Sequence, residues 1–292
     1  MTKTAWVFPG QGSQAIGMGA DLFELPSAHD KLAQAQQILG WSVPEICQSP
    51  DDKVSNTLYT QPSLYTVESI LVDAMRAKGY QPSLVAGHSL GEYVALYAAG
   101  VFDFEAGLSL VKRRAELMSS ASEGIMAALI GFNRDELEAK IEQTPGVVLA
   151  NDNNAGQVVI SGTQEAVDDV LASVKSKRAV KLNVSGAFHS PLMATAAAEF
   201  QSVLDAVTFS DAAVPVLSNV EPTPATDAAL LKDRLNRQMT GSVRWRELSL
   251  QLPVEGIETV IEIGPGKVLT GLIKRTCPSL TLENISTVAD IA

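Results

Sequence analysis

Short apolar runs alternate with longer segments of helical periodicity along most of this chain. Thr4-Ala-Trp-Val-Phe8 and Ser83-Leu-Val-Ala86 read as strands. Between them a helical run ends at Gly40, and Gln61 to Lys78 carries Leu64, Val67, Leu71 and Met75 at helical spacing. Glu92 to Ala99 and Phe104 to Ser120 read as further helices, the second with the basic triplet Lys112-Arg113-Arg114. Alternation of this kind predicts an α/β architecture with a parallel sheet core.

The texture changes near residue 123. Gly124 to Phe132 reads as a strand, and Asn133 with Glu136 forms a helix-start pattern for the run to Gln143. Val147-Val-Leu-Ala150 and Gln157-Val-Val-Ile-Ser161 are short strands joined by the turn-rich link 151–156. Glu165 to Lys175 is helical, and Arg178 to Val184 returns as a strand. Strand–helix–strand–strand–helix–strand is the split βαβ, ferredoxin-like order. The expectation is a large α/β subdomain made of residues 1–122 and 190–292, interrupted by an inserted ferredoxin-like subdomain over 123–189. Glu221-Pro-Thr-Pro-Ala-Thr226 reads as a surface loop.

Candidate chemistry concentrates where the second strand turns into a helix. Gly87-His88-Ser89-Leu90-Gly91 fits a G-x-S-x-G nucleophile elbow in the strand–turn–helix context that motif requires. The turn is too tight for side chains at its flanks, and it leaves the Ser89 hydroxyl exposed at the helix N-terminus. A serine nucleophile needs a base, and the chain has three histidines. His88 adjoins Ser89, so at a strand end its side chain points to the opposite face. His29 lies in a polar helix start. His189, in Gly186-Ala-Phe-His-Ser-Pro191, sits where the inserted unit hands back to the large one, a junction suited to a cleft. Elimination favours Ser89 and His189 as nucleophile and base. No motif marks an acidic third member, and a backbone carbonyl can orient the imidazole instead.

Composition narrows the classes. A net charge of −11 argues against a nucleic-acid partner, which needs a concentrated basic surface. Cys47 and Cys277 lack any metal-ligand or CxxC spacing and read as reduced, buried thiols. No signal-peptide pattern and no bilayer-length apolar stretch occur, so the expectation is a cytoplasmic chain with no membrane partner. Gly10-x-Gly12-x-x-Ala15 loosely matches a dinucleotide fingerprint, but Asp30, near the acidic spacing, stands in a helical run and not at a strand end. The alternative is a loop that supplies a second oxyanion N–H beside the elbow, the first being that of Leu90. Gly264-Pro-Gly-Lys267 is no phosphate loop, since Ile261 and Val268 stand where glycine and Ser/Thr are needed.

Taken together, Gly10-Gln-Gly-Ser-Gln14, the elbow with Glu92-Tyr93, Gly186-Ala-Phe-His189, Gly156–Gly162 and Glu262–Gly271 resemble the malonyl-CoA:acyl carrier protein transacylases, from Thr4 to about Thr276. The resemblance implies a hydrolase-like large subdomain with a ferredoxin-like small one, and a malonyl transfer from malonyl-CoA to the pantetheine thiol of acyl carrier protein, through a serine ester, in fatty acid biosynthesis, with no cofactor or metal. It implies Ser89 as nucleophile, His189 as base, and Gln11 and Leu90 as oxyanion donors. Arg114 matches the arginine that binds the substrate carboxylate, Gln238 the residue whose carbonyl orients the histidine, and Asn153 an Asn-x-Asn turn lining the cleft. Arg113-Arg114-Ala115 stands where the family usually has Arg-Gly, so two adjacent arginines compete for the site. A serine hydrolase or thioesterase, an acyl loader for a polyketide carrier, and a non-catalytic scaffold are the competing readings. The densest basic cluster for an acidic carrier is Lys175, Lys177, Arg178 and Lys181, with Lys274-Arg275 second. The chain is expected to be a monomer.

Overall fold

The structure is a computed structural model and describes residues 2–291. Among the described residues, nine strands form two sheets. Thr4–Phe8 (β1), Leu84–Gly87 (β2), Val216–Leu217 (β7), Thr259–Ile263 (β8) and Thr281–Ile285 (β9) make a parallel sheet of order β7-β2-β1-β8-β9. Ile125–Phe132 (β3), Val147–Asn154 (β4), Gln157–Gly162 (β5) and Ser176–Lys181 (β6) make an antiparallel sheet of order β4-β5-β3-β6. With Arg134–Glu142 and Gln164–Ser173 as its helices, the second sheet has the ferredoxin-like order and pairing.

The parallel sheet is covered on both faces, and the period-two geometry of β1 shows how. Trp6 and Phe8 point into one core with Leu64, Leu71, Tyr93 and Leu108. Ala5 and Val7 point into another with Trp245, Leu248, Leu269 and Ile273. Leu129, Val158, Ile160, Leu137, Val167 and Val170 form a third core under the antiparallel sheet. The two sheets are joined by backbone: Val243 N–H donates to Ala150, and Asp152 N–H donates to Val243.

Three expectations about elements are corrected. The helix expected from Gln61 starts at Thr57, capped by Asn56, whose Oδ1 accepts from Leu58 N–H, and it runs to Ala77. Pro62 lies inside it and disguises the start, since proline removes a donor there. The strand expected over 178–184 is Ser176–Lys181, and the chain leaves the sheet at Leu182. The link expected over 151–156 is mostly strand, because β4 continues to Asn154 with register shifts along its polar half. Its polar side chains bind across to other segments: Asp152 accepts from Arg134 and Arg246.

Candidate active site

Ser89 occupies the bend between β2 and the helix Gly91–Ala98, with φ of 53°. That left-handed conformation costs an ordinary L-residue about 1–2 kcal/mol. A Cβ at Gly91 would lie 2.0 Å from the carbonyl oxygen of Phe8, so a side chain there would push the elbow off β1. His189 is the other strained member, with φ of 56°, at the start of the return to the large unit.

The two side chains meet. Ser89 Oγ lies 2.8 Å from His189 Nε2, although 100 residues separate them. His189 Nδ1 lies 3.0 Å from the Gln238 carbonyl and 3.2 Å from that of Gly241. Two carbonyls can only accept, so Nδ1 carries the proton and Nε2 is left to accept from Ser89. Burial, and then the charge of Arg114, push the His189 pKa down to about 3. The imidazole is therefore neutral and able to take a proton.

Arg114 completes the cluster. Its Nη1 donates to Gln61 Oε1 at 2.7 Å; its Nη2 donates to Gln238 Oε1 at 3.1 Å and to Ser89 Oγ at 3.0 Å. The side chain is 1% exposed, and its guanidinium carbon lies 5.4 Å from the centre of the Tyr93 ring. Burial depresses its pKa, against the opposing pull of Tyr93 and Glu92, and none of its hydrogen-bond acceptors named above is a carboxylate. Arg113 faces the other way, paired with Glu116 and Glu199. Helical periodicity distinguishes the two: Arg114 lies on the buried stripe of Leu110, Val111, Leu117 and Met118, and Arg113 does not.

The Gly10-Gln11 loop presses on the elbow. A Cβ at Gly10 would sit 2.4 Å from the His88 carbonyl oxygen and 3.6 Å from Leu90 N. Among the described residues, neither Gln11 N–H nor Leu90 N–H has an acceptor within the protein. The Gln11 side chain is turned away, with Nε2 donating to Thr57 Oγ1 at 3.0 Å. Gln11, Ser89, Arg114, Met118, Phe188 and His189 line a cavity of about 90 Å³. That is room for a small acyl group, since a water-sized group takes roughly 10–15 Å³ on this measure.

A strained serine on a neutral histidine, backed by free N–H groups, is the geometry of acyl transfer. The acyl transferase domain family matches residues 5–291. A malonyl CoA-acyl carrier protein transacylase of Synechocystis is 57% identical over 289 residues, 99% of either chain. The chain belongs to the malonyl-CoA:acyl carrier protein transacylases. The crystal structure of the Synechocystis transacylase superposes with a TM-score of 0.97, at 57% identity and over 99% of both chains. A transacylase of this family in complex with its type II polyketide acyl-carrier protein superposes with a TM-score of 0.94, at 36% identity, over 99% of this chain and 98% of that one.

Against the residues expected from this transacylase family, one placement differs. Asn153 is buried behind the cleft, its Oδ1 2.9 Å from His88 Nε2, and it is Asn151 that reaches the cavity wall. Strict alternation would put residues 151 and 153 on one side, but the ladder shifts register between Leu149 and Asn151 and again between Asp152 and Asn154, so that alternation does not hold along this stretch. His88 thus has the structural position expected of it, its ring 5.5 Å from that of Trp245. His29 is exposed. Cys47 and Cys277 are free and buried. Gln61 and Asn219 belong to none of the sequence motifs, and Glu92 figures there only as the residue after the elbow, with no role attached. Glu92 is buried under the elbow, where its Oε2 accepts from Gln238 Nε2 at 2.7 Å and from Asn219 N–H at 3.2 Å. Burial raises its pKa, against the opposing pull of those hydrogen bonds and of Arg114.

Proposed function

We propose that this chain moves the malonyl group from malonyl-CoA to the pantetheine thiol of an acyl carrier protein through an ester on Ser89. The observation that carries the reading is Arg114: a buried cation whose hydrogen-bond acceptors are all neutral, 3.0 Å from Ser89 Oγ. No carboxylate is hydrogen-bonded to the guanidinium, and an acyl group with a free terminal carboxylate supplies one, which the guanidinium fork binds in bidentate geometry.

In this reading Ser89 Oγ attacks the thioester carbonyl carbon while its proton passes to His189 Nε2. Charge develops on the carbonyl oxygen, and the N–H groups of Leu90 and Gln11 receive it. The carbon–sulfur bond breaks, and His189 returns the proton to the departing CoA sulfur. The carrier's thiol then gives its proton to His189 and attacks the ester, and Ser89 recovers its hydrogen as the acyl thioester leaves. Gln238 and Gly241 hold the imidazole through their carbonyls, so no acidic third member is needed. The carrier is that of fatty acid biosynthesis, and the reaction belongs in the cytoplasm; no helix among the described residues is long and apolar enough to cross a membrane.

Intact-mass analysis after exposure to a panel of acyl-CoA thioesters tests the reading. One malonyl adduct is expected, discharged by holo carrier protein to malonyl-carrier. Discharge mainly to free malonate identifies a thioesterase instead. Running the second step with fatty acid and polyketide carriers in parallel separates those two loading roles.

Carrier docking is expected at β6, an edge strand with exposed Lys177 and Arg178. Lys181 is already paired with Asp168. Reversing both charges should raise the apparent KM for the carrier roughly 2- to 30-fold at low salt, from two surface pairs at about 0.2–1 kcal/mol each. Malonylation of the enzyme itself should be unaffected. An unchanged KM for the carrier rules this cluster out as the dock.

A further inference from the structure

The elbow ends a short buried strand, and beyond it His88 and Ser89 are only half-buried, so their polar backbone needs partners that the strand itself does not supply. β2 pairs in parallel with β7 at Val85↔Val216 and Ala86↔Leu217. Continued by two residues in the same register, Asn219 would stand opposite His88. In a parallel ladder a residue in that place donates to the carbonyl before its partner and accepts from the N–H after it. Here the main chain of Asn219 makes neither bond. Its N–H goes to Glu92 Oε2 at 3.2 Å, and its carbonyl accepts from Arg244 N–H at 3.0 Å. The side-chain amide makes both instead: Nδ2 donates to the Gly87 carbonyl at 2.6 Å, and Oδ1 accepts from Ser89 N–H at 2.7 Å. Asn219 is 0% exposed, so no water can substitute.

The Ser89 peptide is held from its other side as well, since its carbonyl accepts from Gln238 Nε2 at 2.8 Å. Glu92 Oε2 receives one hydrogen from each holder, Gln238 Nε2 and Asn219 N–H, and so fixes the two to one another.

We propose that Asn219 is a positioning residue, whose side-chain amide replaces the missing ladder partner of the elbow and holds Ser89 in the left-handed conformation that aims Oγ at His189. This rests on the reading of Ser89 as the acylated residue. Without the amide, the buried Gly87 carbonyl and the half-buried Ser89 N–H both lack partners, and the strained turn relaxes to find them. A shift of the nucleophile by about 1 Å is enough to slow attack roughly 100-fold.

The test uses the full chain with two variants, and reads acylation by rapid quench and intact mass. Asn219→Ala should slow acylation by malonyl-CoA and acetyl-CoA alike, roughly 100-fold, with KM changed by no more than about twofold, because aim is lost and binding is not. Asn219→Asp supplies a readout that a merely structural role does not move. As a carboxylate it accepts from Ser89 N–H but sets an unprotonated oxygen against the Gly87 carbonyl. Once protonated it donates there and reproduces the amide, and burial raises the pH at which that happens. Its acylation rate should therefore rise as pH falls, relative to the natural chain. Glu92, beside the Asn219 peptide, and His88, His189 and Arg114 around Ser89 are present in both proteins, so the ratio of the two profiles isolates residue 219.

Acylation by Asn219→Ala within about twofold of the natural chain overturns the proposal. So does an Asn219→Asp profile parallel to that of the natural chain, which decides the matter alone if the alanine variant does not fold. If the natural chain takes no acyl group from any CoA thioester, the functional reading has failed, and labelling of Ser89 by a small serine-reactive phosphonate still decides the positioning role. Equal labelling rates in the natural chain and in Asn219→Ala reject it, and a slow variant supports it.

Discussion

Replacing Ser89 by alanine should abolish the malonyl adduct and with it transfer to the carrier, while leaving the cavity walls intact. The hydroxyl is the group 2.8 Å from His189 Nε2, and no other nucleophile among the cavity-lining residues stands there. An adduct that survives in this variant, mapped by peptide mass, reassigns the nucleophile. His189→Ala should retain the serine but slow its acylation roughly 100- to 10,000-fold, the usual worth of a positioned general base. The pH profile gives an independent check. Burial and Arg114 hold the imidazole's pKa down at about 3, so the basic form is the one present at ordinary pH. Acylation should then be flat between about pH 5 and 8 and fall only as the imidazole gains its proton at lower pH. A rate that halves near the ordinary histidine value, about pH 6.5, contradicts a buried neutral His189 as base.

Arg114→Ala should change which acyl group is accepted. A charge-assisted hydrogen bond contributes about 1.5–3 kcal/mol, so malonyl transfer should drop roughly 10- to 150-fold or more. Acetyl transfer should hold or improve, because a small neutral acyl group no longer shares the cavity with a buried cation to which it offers no carboxylate. The same substitution leaves Glu92 without the nearby positive charge that lowers its pKa, so some loss of thermal stability is expected alongside the switch. Arg113→Ala should move neither donor, since Arg113 is 38% exposed and engages only Glu116 and Glu199. Parallel malonyl-CoA and acetyl-CoA assays decide: equal losses with both donors make Arg114 a folding residue, and a malonyl-selective loss in Arg113→Ala transfers the role to its neighbour.

Much of this site is written locally, and locality is the reason it can be read. Gly87 to Gly91 lie between an apolar strand and a helix, and the close approach to Phe8 that forbids a side chain at Gly91 follows from the tightness of the bend. The alternation of strands and helices gives a parallel sheet, and the order of elements over Ile125–Lys181 gives the ferredoxin-like sheet, because each depends on neighbours in the chain. The choice of Arg114 over Arg113 was also present in the sequence, as the helical phase of Leu110, Val111, Leu117 and Met118.

What only the tertiary structure decided lies in contacts between distant segments. Asn153 and Asn151 occupy one polar stretch, and the register shifts in β4 determine which of them reaches the cavity. Asn219 carries no motif at all. It stands 130 residues from the serine whose N–H it accepts, and its role exists only because β7 pairs with β2 in one register. The same holds for Glu92, an acidic residue in a short helix until Gln238 and Asn219 close over it. Periodicity and turn chemistry fix what a segment forms by itself. Which groups are left without partners, and so need one from elsewhere, is settled only when the segments pack.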